Sequence, residues 1–231
     1  MNRLALILVA LAGALAGAAL MWAYGSASGG TDEATVRRTL VQHPEIITEA
    51  MQALQDRESA KLVAAAGREL AQPVGNAFTG NPKGDVSVVE FFDYNCGYCR
   101  ASLPTIAALV KADPNVRVVY RELPILADSS HAAARASLTA ARQGRWPAFH
   151  DALYTGGQIT DATIAAAAGK AGVDLSRAAS AENEAEITRN LKLAGQLGLT
   201  GTPSWVIGDR VLSGALPLEE LQKAVAAARG R

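Results

Sequence analysis

The rhythm of hydrophobic and polar positions changes several times along the chain. Residues 4–24 carry no charge and are mostly Leu, Ala, Gly, Ile and Val, with Arg3 before them and Asp32 as the first acid after them. A positive start, an apolar run and then small residues is the layout of an export signal. The run also has roughly the 20 residues that span a bilayer. It therefore reads as a signal, cleaved near Ala23-Tyr24-Gly25 or Ser26-Ala27-Ser28, or as a retained membrane anchor (domain 1–25). In both readings Arg3 stays cytoplasmic and the rest enters an oxidising, periplasmic compartment. Residues 25–30, rich in Gly, Ser and Ala, read as a flexible linker.

A helical period follows over 31–72. Thr31 is placed to cap a first helix, with Asp32 and Glu33 in its first turn. Val36 and Leu40 form a short apolar stripe, Pro44 suits the start of a second helix, and Ile47, Met51 and Leu54 continue the stripe. Gln55-Asp56-Arg57-Glu58-Ser59 interrupts it before Leu62, so no heptad seam is sustained. This arm (26–72) reads equally as a segment packed on its own domain or as a self-association stalk, giving a homo-oligomer (trimer or dimer) through residues 31–72.

Pro73, Gly75, Gly80, Asn81, Pro82 and Gly84 mark 72–84 as a boundary loop. Val86-Ser87-Val88-Val89-Glu90-Phe91-Phe92 predicts a buried strand, followed by a helix to Ala112 and a strand over 116–120. Residues 129–197 are Ala-rich and helical, with breaks at Gly144, Gly156-Gly157 and Gly172. Residues 202–207 predict a third strand, Val211-Leu212 a fourth, and 218–228 a closing helix. Strand–helix–strand, a helical insertion, two strands and a helix give an α/β domain over 73–231.

Composition narrows the function. The chain has 231 residues, 49% of them hydrophobic, which excludes a disordered chain. Its 22 basic and 22 acidic residues balance, and no run of five basic residues occurs, so nothing calls for nucleic acid. Two cysteines are too few for a disulfide-stapled scaffold or a four-thiolate zinc site. His43, His131 and His150 show no paired metal spacing, and no cofactor or metal is implied.

Both cysteines fall in Cys96-Gly97-Tyr98-Cys99, where strand gives way to helix. A helix N-terminus offers unpaired N–H groups and a favourable dipole to a thiolate, the attacking species in disulfide exchange. Cys96 is thus the candidate nucleophile and Cys99, one turn deeper, the resolving thiol. A structural disulfide closing so short a loop would stabilise little. Glu90, flanked by Val89 and Phe91, is expected to be buried with a raised pKa and to take the Cys99 proton. Pro104 should kink the helix. A cis Thr202–Pro203 bond would leave the Thr202 backbone free to pair with a client chain beside the cysteines.

Phe91 through Cys99, Pro104, and Gly201-Thr202-Pro203 resemble the thioredoxin superfamily. The helical insertion is similar to that of the DsbA family of exported thiol oxidoreductases. The resemblance implies a cis Pro203 facing the active site and makes Glu90 the buried carboxylate of the family. The strongly oxidising members typically carry Pro-His between the cysteines and Val before the cis proline. Gly97-Tyr98 and Thr202 instead resemble the DsbC isomerases. Leu40-Val41-Gln42-His43-Pro44-Glu45-Ile46-Ile47 and the following Glu49-Ala50-Met51-Gln52-Ala53-Leu54 are similar to the N-terminal segment of the suppressor-of-copper-sensitivity protein C family. In some relatives that segment drives trimerisation with isomerase activity; others are monomeric and oxidising.

The resulting expectation is a disulfide isomerase or reductase acting on unfolded or misoxidised client proteins and kept reduced by a membrane thiol-redox partner. Gly97, Tyr98, Thr202 and Pro203 would meet the client. The alternatives are a monomeric dithiol oxidase and, in another class, a thiol-dependent chaperone or copper-binding protein.

Overall fold

The structure, a computed structural model, describes residues 3–27 and 33–230. Thr31, expected to cap the first arm helix, lies outside the described residues, as does Asp32 beside it.

The chain divides into two compact units, 1–53 and 54–231. The first holds α1 (Arg3–Ala27), α2 (Glu33–Gln42) and the start of α3 (Glu45–Ala66). Helix α1 runs through Gly25, Ser26 and Ala27, so the first half of the expected linker is helical. The side chains described for α1 are those of residues 11–23, and among the described residues no helix is long and apolar enough to cross a membrane. Val36, Ile47 and Met51 all stay exposed.

The second unit is built on one five-stranded sheet of order β1-β3-β2-β4-β5. Its strands are β1 (Phe78–Gly80), β2 (Val86–Phe92), β3 (Val116–Glu122), β4 (Ser204–Ile207) and β5 (Arg210–Ser213). Central β2 pairs parallel with β3 and antiparallel with β4; β1 and β5 add antiparallel at the edges. Strand β1 lies inside the stretch expected to be only a loop. Three residues among Pro and Gly carry too weak a pattern, and the pairing arises because β3 has a free edge for Phe78 opposite Val119. Gly75 enters this strand at φ +50°, where an added Cβ would stand 2.0 Å from the Ala141 carbonyl oxygen.

Side chains alternate across the sheet. On one face Val88, Phe92, Val116, Val118, Tyr120, Trp205 and Ile207 join one core cluster. It is covered by α4 (Gly97–Ala112), α9 (Leu218–Arg229) and the insertion helices α5 (Asp128–Arg142), α6 (Trp146–Thr155) and α7 (Asp161–Ala171). On the other face Val89, Phe91, Val119 and Val206 pack with Leu193 and Leu197 of and after α8 (Ala181–Gln196). Leu70, Val63 and Ala66 pack there too, so the end of α3 and the 3₁₀ turn Arg68–Ala71 belong to this unit.

A buried arginine holds that turn in place. Arg121 on β3 donates to the carbonyls of Glu69, Leu70 and Gln72 and pairs with Glu186 at 2.8 Å on α8. Polar caps set the ends of the insertion helices: the Thr160 hydroxyl accepts from the Thr163 N–H before α7, and Ser180 does the same for Asn183 before α8.

Candidate active site

Period-2 alternation places Glu90, between Val88 and Phe92, on the sheet face that α4 covers. Strand β2 ends at Phe92, and Asp93-Tyr94-Asn95 carry the chain over its top to the cysteines. Asp93 is buried at 1% exposure, and its carboxylate accepts from the backbone N–H groups of Asn95, Ile125 and Leu126. This ties the approach to Cys96 to the loop after β3.

Cys96 is the N-cap of α4. Its sulfur accepts from the Cys99 N–H at 3.4 Å, the hydrogen bond that the helix start would otherwise lack. Its thiol donates to the Thr202 carbonyl oxygen at 3.1 Å. The Thr202–Pro203 bond is cis, and β4 begins only after it, at Ser204, not at Thr202 as the pattern suggested. Cys96 and Cys99 are both free thiols and both buried, while Tyr98 between them is 70% exposed and Gly97 is exposed. Pro104 lies inside α4.

Beneath the dithiol, Glu90 is 2% exposed. Burial, and then the nearby Cys96 charge, raise its pKa to about 8. Burial also pushes the Cys99 thiol well above its ordinary range, with the Glu90 charge adding to the effect. Carboxyl and thiol therefore sense one another across the core, and neither favours carrying charge alone.

Four further side chains gather here without having been singled out: Tyr94, Arg100, Tyr154 and Glu122. His150 joins them, noticed in the sequence only as a rejected metal ligand. The Tyr94 hydroxyl is 3.0 Å from both Ser137 Oγ and His150 Nδ1. The His150 ring stacks on Trp146, and burial drops its pKa to about 3, so it is neutral. Arg100 donates to the Gly157 carbonyl oxygen at 3.0 Å and lies over the Tyr154 ring. Glu122 is buried and its pKa raised, chiefly by desolvation. A Tyr straight after an apolar strand and an Arg straight after the second cysteine were the visible signals; Glu122 ends β3, and Tyr154 and His150 come from α6, far along the chain. Among the described residues no cluster of three or more His, Cys, Asp or Glu could hold a metal ion.

A sheet of this order, with a C-x-x-C dithiol capping the helix after its central parallel strand and a cis-proline loop across from it, defines a thioredoxin-fold dithiol protein. Likeness to known proteins sharpens this. The family described as DSBA-like thioredoxin domain matches residues 87–226, and the copper resistance protein ScsC N-terminal domain matches 33–61. A thioredoxin-like oxidoreductase from Silicibacter pomeroyi DSS-3 is 42% identical, covering 71% of this chain and 99% of its own, at TM-score 0.66. A linker-deletion mutant of Proteus mirabilis ScsC is 30% identical, covering 85% and 92%, at TM-score 0.68. A periplasmic thioredoxin-like protein from Salmonella enterica serovar Typhimurium is 31% identical, covering 74% and 97%, at TM-score 0.62. The curated relatives matched are longer: the chain is 30% identical over 156 residues to the Na(+)/H(+) antiporter NhaA 1 of Salinispora arenicola and spans 24% of its length. The chain belongs to the DSBA-like thioredoxin-domain family, with an ScsC-type N-terminal segment.

Proposed function

We propose that this protein is an exported isomerase or reductase of disulfides in unfolded or misoxidised periplasmic clients. The observation that carries the reading is the buried dithiol with Glu90 beneath it and the Thr202 carbonyl against Cys96. Cys96, as thiolate, attacks one sulfur of a client disulfide. A Cys96–client disulfide forms and the other client sulfur leaves as a thiolate that takes up a proton. The Cys96 thiol no longer donates to Thr202, whose carbonyl is then available to a client N–H.

Two exits follow. In isomerisation, a client thiolate attacks its own sulfur in the mixed disulfide and Cys96 returns unchanged. In reduction, Glu90 takes the Cys99 proton as Cys99 attacks Cys96; the client leaves with two thiols and the protein holds the Cys96–Cys99 disulfide. Burial and the Cys96 charge raise the Glu90 pKa; once Cys96 is bonded to the client that charge is gone, which eases ionisation of Glu90 so that it can accept the Cys99 proton. Reduction consumes two electrons per turnover, so a membrane thiol-redox partner must return them.

The absence of an imidazole between the cysteines favours the weaker oxidant. Exposed Tyr98, Ile125 and Leu126 offer apolar contact to unfolded chains, with Asp93 tying the last two to the cysteine loop. The exposed Val36, Ile47 and Met51 support self-association through 31–72, and the uncharged 4–24 run supports export.

Refolding of scrambled ribonuclease tests the reading, with thiol alkylation in cells as companion. Recovery of ribonuclease activity and a mostly reduced Cys96–Cys99 pair are expected. No recovery together with a mostly oxidised pair would establish a dithiol oxidase instead. Loss of insulin reduction in Cys96→Ala separates the enzyme from a chaperone or copper binder. For the arm, Ile47→Lys with Met51→Lys should lower the mass seen by light scattering to that of one chain.

A further inference from the structure

A second feature lies against the nucleophile. A pocket of about 210 Å³ opens beside Cys96, lined among others by Tyr94, Arg100, Gly157, Gln158 and Ile159. It is smaller than the roughly 300–1,000 Å³ typical of small-molecule sites and suits one side chain of a client. Its lining includes one ionisable cation, Arg100, and no acidic residue.

The position of Arg100 is unfavourable by local rules. It sits in the first turn of α4, which contains no acid to offset it, and a cation there opposes the helix dipole. Helical side chains lean back toward the N-terminus, so the guanidinium is carried over the start of α4, where Cys96 caps it. Two contacts fix it there: Nη2 donates to Gly157 O, and the group lies 5.8 Å from the Tyr154 ring centre. One of its five N–H donors is committed to Gly157, and a planar fork suits a carboxylate.

We infer that Arg100 is a specificity-determining residue, and that the pocket takes a carboxylate flanking the disulfide under attack. The inference rests on the thiol-exchange reading above. Two sources supply that chemistry: an Asp or Glu beside the client cysteine, or the carboxylates of oxidised glutathione.

The test uses the full chain, reduced, with disulfide-linked model peptides carrying Asp, Asn or Lys next to cysteine, and with oxidised glutathione and its esterified form. Each is compared in wild type, Arg100→Met and Arg100→Lys. At low salt the wild type should react about twofold to fivefold faster with the Asp than with the Lys peptide, the upper part of the range for an exposed ion pair, as Arg100 is exposed. That ratio should fall to about one in Arg100→Met and at high salt, and survive in part in Arg100→Lys. A loss confined to the peptides assigns the pocket to clients; a loss confined to glutathione over its ester assigns it to the small disulfide. Ratios unchanged by Arg100→Met, with the Asn peptide still reacting, overturn the inference alone. No reaction with any of these disulfides overturns the exchange reading and this inference with it.

Discussion

The Cys96 thiol donates to the Thr202 carbonyl oxygen across 3.1 Å, joining residues 106 positions apart in the chain. Cys96 is thus held against the backbone of the cis-proline loop. Neither partner could be paired with the other from sequence spacing. The same loop carries an unusual cost: the Thr202 hydroxyl oxygen is buried with no hydrogen-bond partner.

Replacing Thr202 by Val removes that hydroxyl at nearly constant volume. A buried polar group without a partner costs about 1–3 kcal/mol. Thr202→Val should therefore be more stable by about 1 kcal/mol, raising the thermal midpoint by roughly 2–4 °C. Differential scanning calorimetry of the reduced protein checks it; an unchanged or lower midpoint would contradict the account.

Glu90 is expected to act on resolution and not on the first attack. In Glu90→Gln, Cys96 should form the mixed disulfide at nearly the wild-type rate. Attack by Cys99 should slow by at least about 10²-fold, the lower range for a lost general base. Rapid acid quench and mass spectrometry would then show the Cys96–client adduct accumulating. Equal decay of the adduct in both proteins would remove Glu90 from the mechanism.

Two buried groups set opposite pH slopes. Native Glu90 holds its proton to about pH 8, whereas an unfolded glutamate releases it near 4.5. Between these values the native state binds more protons, so stability falls as pH rises, by up to about 1.4 kcal/mol per unit, and levels off above 8. Native His150 protonates near 3 against 6.5 when unfolded. There the unfolded state binds more protons, and stability is lost as pH falls from 6.5 toward 3. Denaturant titrations should show the decline between pH 6.5 and 8 weakened in Glu90→Gln, and the acid-side loss weakened in His150→Gln. Identical pH profiles in variants and wild type would be inconsistent with both assignments.

Arg121 should be a major stability determinant away from the chemistry. Both it and Glu186 are 4% exposed. Removing one partner of a buried pair costs about 3–5 kcal/mol when the other charge is left unpaired, but Glu186 keeps Arg189 at 2.6 Å. Arg121→Met should therefore lose less, about 2–3 kcal/mol, the range for hydrogen bonds to a charged group, and the double change with Glu186→Met should recover part of it. Urea denaturation decides; a single variant as stable as wild type would show that the pair contributes nothing.

Much of the site was legible because it rests on local rules. Val86–Phe92 is a strand by its β-branched and aromatic run, alternation assigns Glu90 to the face of Val88 and Phe92, and Cys96 stands where strand passes into helix. The dithiol, Glu90, Thr202 and Pro203 were therefore singled out from residue type and position. Strand β1 was not, since three residues between Gly and Pro become a strand only when β3 offers an edge. Nor did the 72–84 loop mark where packing begins: Val63, Ala66 and Leu70 belong to the core because the sheet's second face needs covering.

By itself the sequence determined the order of the elements apart from β1, the pair of thiols and the carboxyl on the strand leading to them, because period and capping act over a few neighbouring residues. The tertiary structure alone decided what surrounds them. It brought Thr202 to Cys96, His150 to Tyr94 and Gly157 to Arg100. Those contacts span 106, 56 and 57 positions, and only the closing of the sheet and its helical insertion makes them neighbours. The raised pKa of Glu90 and the depressed one of His150 have the same origin: burial is a property of the assembled core, and no single segment carries it.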